Sequence, residues 1–189
     1  MKKIGITGSL ASGKTTASKI LSKKIGPLFS ADNVVKKMYK NPTFEKKIIQ
    51  TLNIKKKTNL KIEVRKKVLK NKKNLKKLEK VIHPIVRKDM LRFIRKNKKR
   101  RFIFLEIPLL IESKLTKYFD VIIFIKSKKD IRLKRYLSNN KKNKKFFEFL
   151  NNKQIKDSKK MKYCDHIVVN NNSLSDLKKK LFNIIKLYE

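Results

Sequence analysis

Gly8-Ser9-Leu10-Ala11-Ser12-Gly13-Lys14-Thr15 places two glycines around four intervening residues and follows the second with a lysine and a threonine. This is the arrangement G-x-x-x-x-G-K-[ST], which cradles phosphate when it follows a strand and opens a helix. Gly8 and Gly13 permit backbone geometries that other residues resist. The loop N–H groups and the positive end of the next helix can then face an anion. Lys14 is placed to reach β- and γ-phosphates, and the Thr15 hydroxyl to hold Mg²⁺. We therefore expect Gly8, Ser9, Leu10, Ala11, Ser12, Gly13, Lys14, Thr15 and Thr16 to bind the phosphates of a nucleoside triphosphate.

Further residues could act on that phosphate. Asp32 follows a short apolar run and is expected at the carboxyl end of a strand, facing the same crevice as the loop. There it could accept a hydroxyl proton or orient a metal-bound water, and it could equally cap the following helix. Glu106 ends the run Phe102–Leu105, where an acid suits a metal or substrate role as well as it suits a solvated strand end. Arg132 and Arg135 share one helix at a spacing of three and could clamp a transferring phosphate. The chain has two histidines and one cysteine, too few by themselves for a zinc site, and no disulfide can form within it. No Ser–His–Asp set and no G-x-G-x-x-G stands out, so Mg²⁺-dependent phosphoryl transfer is the chemistry that remains.

The elements that must position these residues read as an α/β protein. Lys3–Thr7 is a buried strand, and a helix from Lys14 to Lys24 puts Ala17, Ile20 and Leu21 on one face. Pro27–Phe29, Arg101–Glu106, Val121–Ile125 and Ile167–Val169 are further strands. Their apolar runs do not alternate with polar residues, which suits a parallel sheet covered on both faces. Strands alternating with helices predict such a sheet, of about five strands, flanked by helices. Residues 33–99 are helical and lysine-rich and too long for one crossover, so we expect an inserted helical subdomain, with a new helix starting at His83-Pro84. Ser138–Lys145 has no apolar residue and suits a small lid. In the last helix, from Ser173 to Tyr188, Ser173 and Asp176 resemble a capping box.

The 189 residues suit one domain with insertions, and 40% hydrophobic residues suffice for a core. The longest apolar runs are far too short to span a bilayer, and no apolar leader opens the sequence, so we expect a cytoplasmic protein with no membrane partner. The net charge of +40 comes from 46 lysines and only eight arginines, spread from end to end. Lys, Asn and Ile are all encoded by A/T-rich codons, so compositional drift explains most of this charge. A nucleic-acid footprint would favour clustered arginine and exposed aromatics. We expect loose, salt-sensitive binding to polyanions but no specific nucleic-acid partner.

Taken together, the motifs resemble the dephospho-CoA kinase family of small P-loop kinases. Thr7-Gly8 with Ser12-Gly13-Lys14-Thr15 fits its phosphate loop, and Ser30-Ala31-Asp32 its D-A-D segment. Leu78–Pro84 fits its helix ending in H-P, and Pro108-Leu109-Leu110-Ile111-Glu112 its P-L-L-x-E segment. Leu133-Lys134-Arg135, Gln154 and Cys164–Asn170 follow in the family's order. The resemblance implies transfer of the γ-phosphate of ATP to the ribose 3′-hydroxyl of dephospho-CoA, with Mg²⁺, by a monomer. Another small P-loop kinase, acting on a nucleoside, nucleotide or small alcohol, is the alternative. The resemblance also implies that Lys14, Asp32 and Arg135 are catalytic. It places Asp32, His83, Pro108, Leu109 and Leu110 at the acceptor and gives Thr15 and Asp32 to the metal. It makes residues 33–99 a CoA-binding subdomain and residues 136–160 a lid. The chain departs from the family at Ser30, where the first acid stands, at Lys36, where an arginine is expected, around Leu60-Lys61-Ile62, and at Asn139, where a second lid arginine is often found.

Overall fold

A computed structural model describes residues 1–55, 59–138 and 143–189. The chain divides into two compact units, Met1–Ser30 with Ile94–Glu189, and Ala31–Phe93. Among the described residues no helix is long and apolar enough to cross a membrane.

The first unit is built on five strands, β1 (Lys2–Gly8), β2 (Leu28–Ser30), β3 (Phe102–Glu106), β4 (Val121–Lys126) and β5 (His166–Val169). Their order is β2-β3-β1-β4-β5, and every pairing is parallel. Parallel neighbours need long crossovers, and helices supply them: α1 (Lys14–Lys24), α6 (Lys129–Leu137), α7 (Lys144–Lys153), α8 (Asp157–Met161) and α9 (Leu174–Lys186) belong to this unit. On one sheet face Ile4, Ile6, Phe104, Ile123, Ile125 and Val168 pack with Ala17 and Leu21 of α1 and Leu177, Leu181 and Ile185 of α9. On the other face Gly5 lies against Leu110 and Phe119. Both faces are covered, which is why β3 and β4 read as unbroken apolar runs. The start of α9 shows half of a capping box. Ser173 Oγ accepts from the Asp176 N–H at 3.2 Å, while the Asp176 carboxylate turns to Lys180 at 2.7 Å.

The sheet order fixes where a ligand can bind. From β1 the chain crosses to the edge strand β2 and returns to β3 on one side, then passes to β4 and β5 on the other. The crevice beyond the carboxyl end of β1 is therefore the topological switch point of the sheet.

The second unit is helical: α2 (Ala31–Met38), α3 (Pro42–Leu52), α4 (Leu60–Lys70) and most of α5 (Lys72–Lys96). Asn41 and Asn59 cap α3 and α4, accepting from the Phe44 and Ile62 N–H groups, and Pro42 occupies the first turn where its missing donor costs nothing. Phe44, Ile48, Leu52, Val64, Val68 and Met90 are buried. The expected helix start at His83-Pro84 is not there: α5 runs unbroken through Pro84. Proline removes one rung of the ladder. Val86 and Met90 beyond it are buried on the same helix, and that packing carries α5 across the missing bond.

Leu181 is fully buried between α9 and the sheet. Leu181→Ala should lower unfolding free energy by about 2–5 kcal/mol. Chemical denaturation measures this, and a loss under about 1 kcal/mol would show that α9 does not close this core.

Candidate active site

The phosphate loop leaves β1 at Gly8 and enters α1 at Lys14, at the switch point. Its backbone takes three positive φ angles: 145° at Gly8, 59° at Ala11 and 99° at Gly13. A side chain at Gly8 would begin 2.3 Å from the Ile125 carbonyl oxygen, and one at Gly13 would begin 2.2 Å from Asn170 Nδ2. Both positions therefore need glycine for space as well as conformation. Gly13 is the left-handed N-cap of α1, and no side chain caps the helix there. No acid stands in the first turn of α1, so the turn's N–H groups and the helix dipole are open to an outside anion.

Carbonyls of the loop accept from several donors. The Lys14 ammonium, with its residue only 8% exposed, donates to the Ser9 carbonyl at 2.7 Å. Asn170 Nδ2 donates to the Ser12 carbonyl at 2.8 Å. Arg135 Nη1 donates to the same carbonyl at 3.4 Å and to the Asn170 carbonyl at 3.2 Å. Ser9 Oγ donates to Asp157 at the start of α8. Thr16 is exposed on the first turn of α1.

Thr15 Oγ1 donates to Glu106 Oε1 at the end of β3. Glu106 is buried to 1% exposure, and its Oε2 has no hydrogen-bond partner among the described residues. A carboxylate held in this way fits a hard cation, which prefers oxygen ligands. Among the described residues no group of three or more His, Cys, Asp and Glu side chains could hold a metal. A cation here would therefore draw its other ligands from phosphate and water.

Of the P-L-L-x-E segment, Pro108 and Leu109 are partly accessible, and the Pro108 carbonyl accepts from Thr7 Oγ1 at 3.2 Å. Leu110 is fully buried, so the sheet takes its side chain. Glu112 meets Lys160 at 2.7 Å; this lysine is fully buried and also reaches Gln154 at 3.2 Å.

Asp32 and His83 belong to the helical unit, in α2 and α5. Helix α2 begins at Ala31, so Asp32 lies inside its first turn and is exposed there, not at the cap. Asn139 and the middle of the lid segment lie outside the described residues. Burial, with Asp165 adding to it against Lys160, pushes the Cys164 thiol up to about 11, so it remains protonated at neutral pH and is no nucleophile.

Asp157 and Lys160 were not anticipated. Lys160 is one of 46 lysines and carries no mark of its burial, and Asp157 reaches Ser9 across 148 residues of sequence. Asn170, the last residue of the Cys164–Asn170 segment, follows the last strand at its carboxyl end, and its contact with Ser12 is what the sequence did not show.

A five-stranded parallel sheet with this loop at its switch point defines the P-loop kinase class. Solved structures share the fold. One is a Thermus thermophilus protein, TT1252, at a TM-score of 0.79 and 23% identity, covering 98% of this chain and 97% of that one. Another is shikimate kinase from Acinetobacter baumannii, at 0.59 and 13%, covering 100% and 95%. The dephospho-CoA kinase from Campylobacter jejuni matches at 0.62 and 27%, covering 100% and 97%. The dephospho-CoA kinase family model matches residues 2–176. Dephospho-CoA kinases of Fusobacterium nucleatum and Bartonella quintana are each 32% identical to this chain; the first match covers 94% of both proteins, the second 98% of this chain and 97% of the relative. The chain belongs to the dephospho-CoA kinase family.

Gly13→Ala should strain the backbone and collide with Asn170, at a cost of about 1–3 kcal/mol. A lowered melting midpoint together with lost ATP binding by calorimetry is the expected outcome. A variant that melts and binds ATP like the wild type would show that the loop does not depend on this left-handed residue.

Proposed function

We propose that this protein transfers the γ-phosphoryl group of ATP to the ribose 3′-hydroxyl of dephospho-CoA, giving CoA and ADP. The observation that carries the reading is the match of the dephospho-CoA kinase family model over residues 2–176.

In this reading the loop N–H groups and Lys14 bind the β- and γ-phosphates and neutralise charge as the phosphoryl group leaves ADP. Thr15 and Glu106 would hold Mg²⁺, whose other ligands would come from phosphate and water. The ion, when bound, supplies positive charge to the triphosphate. Asp32 accepts the proton of the acceptor 3′-hydroxyl as the O3′–P bond forms and the bond between phosphorus and the leaving oxygen of ADP breaks. Arg135 adds charge near Ser12. The helical unit binds dephospho-CoA, with His83 near it, while Pro108 and Leu109 offer the partly accessible apolar contact beside the loop. The resemblance of Ser30-Ala31-Asp32 to the family's D-A-D pattern supports the role of Asp32.

Incubation of the purified protein with ATP, Mg²⁺ and dephospho-CoA should give equal amounts of CoA and ADP by chromatography and mass spectrometry. Phosphorylation of a nucleoside or shikimate in preference to dephospho-CoA would overturn the acceptor assignment. Lys14→Ala should lower turnover about 10²–10³-fold, the loss typical of one preorganised electrostatic donor. Asp32→Asn should keep the melting midpoint and ATP affinity while turnover falls about 10²-fold or more. Wild-type turnover in Asp32→Asn would remove Asp32 from the chemistry.

A further inference from the structure

The Leu10 carbonyl is held by a residue that the phosphate chemistry above does not use. Arg132 Nη1 donates to it at 3.3 Å. The same Nη1 donates to Asn151 Oδ1 of α7 at 2.9 Å, and Nε donates to the Ser127 carbonyl, just past β4, at 3.2 Å. The guanidinium carbon lies 5.8 Å from the centre of the Phe147 ring on α7. Arg132 is 6% exposed, and its hydrogen bonds among the described residues go to carbonyl oxygens, none to a carboxylate. Burial lowers its pKa below the ordinary arginine value, against the opposing pull of Asp157 and Glu148.

A guanidinium taken from water without a bonded carboxylate is costly to keep. The groups it touches say what that cost maintains. Leu10 precedes Ala11, which stands at φ 59°, so the peptide between them decides whether a carbonyl or an N–H faces the anion. A carbonyl swung inward would aim a negative dipole at the phosphates.

We propose that Arg132 is a positioning residue for the phosphate loop: it holds the Leu10 carbonyl away from the anion so that the loop N–H groups converge on ATP, and it ties that geometry to α7 through Asn151. Arg135, one turn along, is partly accessible and remains the arginine of this helix assigned to phosphate. The inference rests on the loop being a triphosphate site and is independent of which acceptor is phosphorylated.

The test is MgATP affinity measured by calorimetry, with the melting midpoint, for Arg132→Met, Arg132→Lys and Phe147→Leu. Lysine keeps the charge but cannot bond three separate acceptors from one planar fork. Both Arg132 variants should weaken MgATP binding about tenfold or more, the loss expected for a charge-assisted hydrogen bond. KM for ATP should rise with it, while KM for dephospho-CoA stays within about twofold. Phe147→Leu removes packing beneath the guanidinium but no bond to the loop. It should lower the midpoint and leave ATP affinity unchanged. Should Arg132→Met fail to fold, Arg132→Lys decides. Wild-type ATP affinity in a folded Arg132 variant, with only a lower midpoint, overturns the proposal. A wild-type protein that does not bind MgATP overturns the reading of the loop itself.

Discussion

A phosphate loop in a buried corner leaves backbone carbonyls that water cannot reach, and those carbonyls need donors. This constraint organises one end of the parallel sheet. The Ser9 carbonyl takes Lys14, the Leu10 carbonyl takes Arg132, and the Ser12 carbonyl takes Asn170 and Arg135. The donors come from α1, α6 and the chain just past β5, so three separate segments must be in place before the loop has its shape. The sheet order brings their ends together around β1, and the apolar packing of α1 and α9 fixes the sheet. The site is preorganised in the sense that its dipoles are aimed before the phosphate arrives.

The same constraint sorts a very basic chain. Among the described residues, the buried basic side chains are Lys14, Arg132 and Lys160. Two of them bond the phosphate loop, and the third bonds Glu112 and Gln154. Burying a charge is costly unless its partners are good, so these three positions mark where the fold needs a cation. Surface ion pairs such as Lys66–Glu63 and Arg92–Asp89 contribute little each. With 54 basic residues against 14 acids, most lysines have no acid available, and their repulsion is tolerable because they stand in water.

What the sequence made legible follows from how local each requirement is. The phosphate loop could be read because its glycines answer to backbone geometry within eight residues. The strands could be read because burial on both faces leaves long apolar runs. Pro84 misled because the intrinsic cost of proline is local while the packing of Val86 and Met90 is not. Asp32 lies in the first turn of α2, where an acid suits the helix dipole as well as it suits chemistry, so its local position alone does not tell the two apart. Arg132 and Arg135 look alike on a helix, and only their surroundings separate a buried loop support from a partly accessible cation. Asn170 reaches Ser12 across 158 residues, a distance over which spacing carries no information.

The departure at Ser30 can be understood in the same electrostatic terms. Ser30 on β2 is in register with Glu106 on β3, at the carboxyl ends where the crevice opens. An acid at position 30, as the family pattern has it, would set two carboxylates on neighbouring strands beside a Glu106 oxygen that already lacks a partner among the described residues. Like charges so placed repel each other and favour protonation of one of them. Serine keeps a polar side chain there without that repulsion, and Glu106 alone carries the negative charge at these two positions. The attraction for a cation is correspondingly lower, and the attraction for a polyanionic nucleotide is higher. In a chain of net charge +40, the long-range field already draws ATP and the pyrophosphate of an acceptor toward the protein. Recruitment of anions is therefore the least demanding part of this site. Its demanding part is the short-range geometry that holds Lys14, Thr15 and Glu106 around the loop.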